Sequence, residues 1–136
     1  VYQAVVYGRM KEPEGRVDAP IGRNPLERKE MCVTAKNSKE AVTNYRVLQE
    51  YEGFSHLELR LETGRTHQIR VHMAYLGHPV AGDPVYGPKK VIKSLEGQCL
   101  HAKSIAFDHP VTGERMRFDS ELPTYFTDFL RTLRPL

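Results

Sequence analysis

Glu62-Thr63-Gly64-Arg65-Thr66-His67-Gln68-Ile69-Arg70-Val71-His72-Met73-Ala74-Tyr75-Leu76-Gly77-His78-Pro79 gathers arginines, histidines, a glutamine and two glycines into one short run. Just before it, Leu57, Leu59 and Leu61 alternate with Glu58, Arg60 and Glu62, the period-two pattern of a half-buried strand. Gly64 permits a sharp turn, and Thr66 suits a helix N-cap. Ile69, Met73 and Leu76 then fall at i, i+4 and i+7, which predicts a helix of about three turns with one apolar stripe. Gly77 suits the left-handed position after a helix, and Pro79 prevents its continuation. Arg65, His67, Gln68 and Arg70 crowd the start of this helix. Unpaired N–H groups and the positive end of the dipole favour an anion there, a carboxylate or a phosphate.

Upstream, Val1 to Gly8 reads as a strand, Val17 to Gly22 as a short extended piece limited by Pro20, and Met31 to Ala35 as a brief strand. Gly8 to Arg16 and Arg23 to Glu30 are charged and irregular, and Asn37 to Glu40 is a turn. Ala41 to Tyr51 alternates without a cleanly apolar face. Glu52-Gly53 joins it to the leucine strand as an antiparallel hairpin. Downstream, glycines and prolines from Gly77 to Pro88 make a stiff, shaped loop that includes Asp83, whose expected role is to brace a turn. Lys89 to Gly97 reads as an exposed basic tip. Ser104 to Asp108 and Arg115 to Phe118 form a second hairpin. Tyr125, Phe126, Phe129, Leu130 and Leu133 lie at helical spacing after Pro123, near N1 of a terminal helix. The fold class is α+β: a mostly antiparallel mixed sheet with a central short helix and a C-terminal helix.

The 136 residues make one domain or part of one, long enough for a core. A net charge of +3 suits a nucleic-acid partner without requiring it. Cys32 and Cys99 stand in unrelated contexts, so neither a disulfide framework nor a zinc motif is signalled, and a cytoplasmic protein is the simpler reading. No run of residues approaches a membrane span. His67 and His72 are five apart, about 140° around a helix, and so do not share a face as i, i+4 metal ligands do. The chain opens in mid-strand with no initiator methionine, which predicts a fragment of a longer protein.

Thr63-Gly64-Arg65-Thr66-His67-Gln68-Ile69-Arg70-Val71-His72, with Gly77-His78-Pro79 and Gly82-Asp83-Pro84-Val85-Tyr86-Gly87, resembles the RluA/RluD family of RNA pseudouridine synthases. The resemblance runs through Pro20-Ile21-Gly22-Arg23, Leu100-His101-Ala102 and Phe107 to Glu114, essentially the whole chain. It implies an isomerase that converts uridine to pseudouridine in RNA, here ribosomal RNA of the large subunit, without cofactor or metal. It also implies an aspartate as the central catalytic group, an arginine that pairs with its carboxylate, and a tyrosine that packs against the target base. Arg70 matches the arginine and Tyr2 the tyrosine. A guanidinium can grip a carboxylate with two prongs and keep it ionised, and a tyrosine ring can stack on an extruded base. RNA phosphates are expected to meet Arg65, His67, Gln68, His72, Arg23, Lys89 and Lys90.

The family's aspartate lies in a His-Arg-Leu-Asp run upstream of the tyrosine. None of Asp18, Asp83, Asp108, Asp119 and Asp128 sits in such a run. Residues 1–136 therefore read as the C-terminal portion of the catalytic domain, inactive alone. The alternative is a non-catalytic RNA-binding module, either a stable piece or a truncated paralogue.

Overall fold

A computed structural model describes residues 1–27, 29–88, 92, 95 and 97–136. Five antiparallel strands form the main sheet in the order β2 (Glu14–Asp18), β6 (Val42–Tyr51), β7 (Phe54–Leu61), β1 (Tyr2–Tyr7) and β8 (Leu100–Ala102). A three-stranded sheet sets β3 (Ile21–Arg23) between β4 (Met31–Val33) and β5 (Ser38–Lys39), and β9 (Ser104–Asp108) pairs with β10 (Arg115–Asp119). Two helices complete the α+β fold, α1 (Gln68–Tyr75) and α2 (Thr124–Thr132).

The leucine strand forms as its alternation requires, with Leu57 and Leu59 fully buried and Glu58 and Arg60 turned away from that core. Tyr51 faces Phe54 across Glu52-Gly53, and Gly53 takes φ 79°, which glycine adopts without penalty. A bulge between Val47 and Gln49 explains the ambiguous alternation of β6. Tyr45 and Val47 pack on the core before it, and the extra residue leaves Leu48 exposed.

β1 is the centre of the molecule. Ala4 and Val6 pack with Leu57, Leu59, Ile69 and Met73 on the α1 side, while Val5 packs with Phe126 and Phe129 on the α2 side. A strand covered on both faces needs consecutive apolar residues, and Ala4-Val5-Val6 supplies them. β8 pairs only with the first half of β1, at Tyr2 to Ala4. Beyond it the loop takes over: Tyr7 N–H donates to the Pro79 carbonyl at 2.9 Å and Ala81 N–H to the Val5 carbonyl at 2.8 Å.

Four expectations change. Thr66 is exposed and does not cap α1; the N-cap is His67, left-handed at φ 55° and without a side-chain cap bond. The Gln68 amide oxygen, on the first residue of α1, reaches back to order the preceding turn, accepting the Arg65 N–H at 2.9 Å and the Thr63 hydroxyl at 2.7 Å. Leu76 is part-exposed, because α1 is embedded by every residue from Gln68 to Met73 and lacks a single stripe. Gly77 does take the left-handed turn, at φ 86°. Pro123 stands at the N-cap of α2, one residue outside the helix. In the supposed exposed tip, Leu95 is buried and Ile92 packs against the cluster of Val5, Cys99 and Phe126, since apolar side chains gain by leaving water. Lys89, Lys90 and Lys93 lie outside the described residues, as does Arg28.

Candidate active site

Tyr2 starts β1 and Arg70 occupies the first turn of α1, yet both line one cavity of about 240 Å³ with Arg65, His67, Gln98 and Leu100. The pairing of β1 with β7, followed by the turn at Gly64, closes the distance between two residues remote in sequence. Arg65 borders this cavity and also a neighbouring hollow of about 350 Å³ that Arg23 and Lys39 line. Arg65 is anchored by its Nε–H, which donates to the Glu40 carbonyl at 2.7 Å. A basic track thus leads from the cavity toward β3.

Arg70 is held by Asp83. Its Nε donates to Asp83 Oδ2 at 2.8 Å and its Nη2 to Oδ1 at 2.9 Å, with side-chain exposures of 9% and 0%. The Val85 and Tyr86 N–H groups also donate to Asp83 Oδ1, at 2.9 and 3.1 Å. Burial opposes ionisation of Asp83, but the Arg70 contact and those two donors outweigh it and hold the carboxyl below its usual range. The same hydrogen bonding raises the Arg70 guanidinium against its desolvation. Asp83 does brace a turn, as the sequence suggests, but its grip on Arg70 is not legible there. The loop around it is tightly fitted: a side chain at Gly82, which takes φ 75°, would meet the Gly97 carbonyl.

Tyr86 closes the cluster. Its ring lies 5.1 Å from the Arg70 Cζ, its hydroxyl oxygen accepts the Met31 N–H at 2.9 Å, and His67 Nδ1 is 2.9 Å from the same oxygen. Burial first, and the Arg70 charge second, push the His67 imidazole toward its neutral form, against the pull of Asp83. His67 combines a cavity-lining ring with a left-handed backbone that few non-glycine residues adopt.

Gln68, which also borders the cavity, and His72 are held by hydrogen bonds inside the protein. Both are buried, at 2% and 0% exposure, within a closed network. The Gln68 amide donates to the Val42 carbonyl at 2.9 Å and to the Thr43 hydroxyl oxygen at 3.0 Å. Thr43 lies 2.7 Å from His72 Nδ1, and His72 Nε2 is 2.8 Å from the Ala19 carbonyl. A carbonyl only accepts, so Nε2 carries the proton, and Nδ1 accepts from the Thr43 hydroxyl. The expected phosphate contact of His72 is therefore corrected: the spacing that put it near the helix start could not reveal that it faces inward.

The network has a pH signature. Burial is the main cause that lowers the His72 pKa, partly offset by the Ala19 carbonyl and Asp18. Because the folded pKa is depressed, no penalty exists above the unfolded value of 6.5; stability is lost as pH falls from there toward the folded value. His56, also lowered by burial, adds to the same window. The urea midpoint should fall between about pH 7 and pH 5, and His72→Gln should flatten that fall while lowering the midpoint at neutral pH.

Residues 1–75 match the family model described as RNA pseudouridylate synthase, a match that includes Tyr2 and Arg70. The chain is 50% identical over 133 residues to the uncharacterized RNA pseudouridine synthase YlyB of Bacillus subtilis (strain 168), covering 98% of this chain and 43% of that protein. It is 42% identical over 146 residues to ribosomal large subunit pseudouridine synthase D of Pseudomonas aeruginosa, covering 98% and 45%. Human RNA pseudouridylate synthase domain containing 1 superposes with a TM-score of 0.83 at 31% identity, covering 99% of this chain and 58% of that one. The chain spans less than half the length of these curated relatives. With a family model matched over more than half its residues, and the same fold in a solved relative, the chain belongs to the RNA pseudouridylate synthase family.

Proposed function

We propose that residues 1–136 are the C-terminal portion of a catalytic domain that converts uridine to pseudouridine in cytoplasmic large-subunit ribosomal RNA. The observation that carries this reading is the shared cavity of Tyr2 and Arg70, remote in sequence and joined only by the fold. In this reading Arg70 grips the carboxylate of an aspartate from a His-Arg-Leu-Asp run, which this chain does not contain. Tyr2 stacks on the extruded uracil. The bond from C1′ to N1 breaks, the base turns, and C1′ bonds to C5; C5 gives up its proton and N1 gains one, so the product is an isomer. Arg65, with Arg23 and Lys39 along the adjoining hollow, meets the RNA backbone. Names of relatives such as ribosomal large subunit pseudouridine synthase D support the choice of RNA.

The test is pseudouridine mapping on large-subunit ribosomal RNA treated with the full-length protein or with the 136-residue chain. The full-length protein should convert a uridine, and the chain alone should convert none. No conversion by the full-length protein, or conversion by the chain alone, overturns the reading. Stacking on a base is worth about 1–3 kcal/mol, so Tyr2→Ala in the full-length protein should reduce kcat/KM correspondingly, read by the same assay.

A further inference from the structure

We propose that Asp83 is a positioning residue: it fixes the plane of the Arg70 guanidinium so that a second carboxylate can be gripped only end-on, through Nη1 and the outer hydrogen of Nη2. The inference rests on the reading of Arg70 given above. A guanidinium offers five N–H donors in one plane and two edges suited to a two-pronged contact. Asp83 fills the side edge, taking Nε and Nη2 at 2.8 and 2.9 Å. The Tyr86 ring, 5.1 Å from Cζ, covers one face. The two-pronged edge that remains is the end formed by Nη1 and Nη2. Arg70 is at the wall of the cavity that Tyr2 also lines, so an end-on carboxylate would meet a base stacked on that ring.

Asp83 is itself held. Oδ1 accepts the Val85 and Tyr86 N–H groups as well as Arg70, so the carboxylate cannot swing toward the cavity and act as the nucleophile. Its loop is tied to the catalytic strand, since Ala81 N–H donates to the Val5 carbonyl and Cys99 N–H to the Ala81 carbonyl. One strand thereby carries Tyr2 at its start and fixes the Asp83 loop at its other half. Asp83 also shares the Arg70 charge. The other titratable or charged groups facing Arg70 are His67 and Arg65 from the turn, Tyr86 from the loop, and Tyr2 from β1.

The test uses Asp83→Asn and Asp83→Glu in the full-length protein, with kcat, KM and pH–rate profiles on RNA. Asp83→Asn should lower kcat roughly 10- to 100-fold, as a loosened reacting geometry does, and leave KM for RNA unchanged. Removing a negative charge beside the second carboxylate favours its ionised form, so the acid limb should move to lower pH. Asp83→Glu keeps the charge and shifts the fork; it should lower kcat without moving the acid limb. If Asp83→Asn fails to fold, the Glu variant decides by that same criterion. Variants within about twofold of the parent in kcat, or a fall in kcat that comes with raised KM and an unmoved acid limb in Asp83→Asn, overturn the inference. Arg70→Lys separates the two levels. If it is inactive while the Asp83 variants are normal, only the positioning role fails; if it is fully active, the reading of Arg70 fails with it.

Discussion

Replacing Arg70 by methionine in the full-length protein should cost about 3–5 kcal/mol of folding stability and, in the proposed reaction, roughly 10²- to 10³-fold in the rate of pseudouridine formation. The two losses have separate origins. Stability falls because Asp83 is fully buried and its charge would lose the guanidinium that compensates it, retaining only the Val85 and Tyr86 N–H donors. Activity falls because, in the proposed mechanism, the same guanidinium orients the reacting carboxylate. The double variant Arg70→Met with Asp83→Asn separates these effects. With the orphaned charge removed, its urea midpoint should recover much of the loss, since a neutral pair of similar volume is often tolerated where a broken ion pair is not. Its activity should remain at the level of Arg70→Met. Recovery of both together would mean that the guanidinium serves the fold and not the chemistry.

Phe126→Ala should also cost about 3–5 kcal/mol, the range for removing a fully buried phenylalanine from a packed core. Phe126 has no exposed surface, packs with Val5, Cys99 and Phe129, and its ring centroid is 5.5 Å from that of His56. Truncation opens a cavity between α2 and the sheet, which urea and thermal unfolding would register directly. The site lies on the opposite side of β1. At temperatures well below the lowered midpoint, kcat of the full-length variant should therefore stay near that of its parent, in contrast with Arg70. A comparable fall in kcat at full occupancy of the folded state would show that α2 sets the alignment of β1.

The elements were largely legible and the site only partly so, for physical reasons that differ by residue. Leu57, Leu59 and Leu61 declare a strand because one face of β7 meets one core. β6 does not declare itself, because its bulge switches faces in mid-strand. α1 was legible in place but not in length or orientation: its 8 residues make about two turns where three were expected, and Gln68 and His72 look like surface polar residues that only the positions of Thr43, Val42 and Ala19 make internal. The family motif marks Arg70 and Tyr2, yet the contact of Arg70 with Asp83 depends on where a glycine-rich loop is stitched to β1. In the sequence His67 is one of several polar residues at the helix start. Its left-handed backbone and its approach to Tyr86 are set by the fold around it. Lys89 and Lys90 lie outside the described residues.

The placement of β1 between β7 and β8 also bears on how the chain is made. β6 and β7 adjoin in sequence and can zip through a two-residue connection, whereas Val5 must wait for His56, and Ala4 for Leu100. At about 5–20 residues per second, the ribosome needs roughly 3–11 s to pass from the end of β1 to the end of β7. Through that interval an apolar strand with open hydrogen-bonding edges has no native neighbour. The hairpin of β6 and β7 is thus the template onto which the first strand docks. The cavity proposed for the reaction, which needs Tyr2 from that strand, closes only after Leu100 has emerged, making it a late product of synthesis.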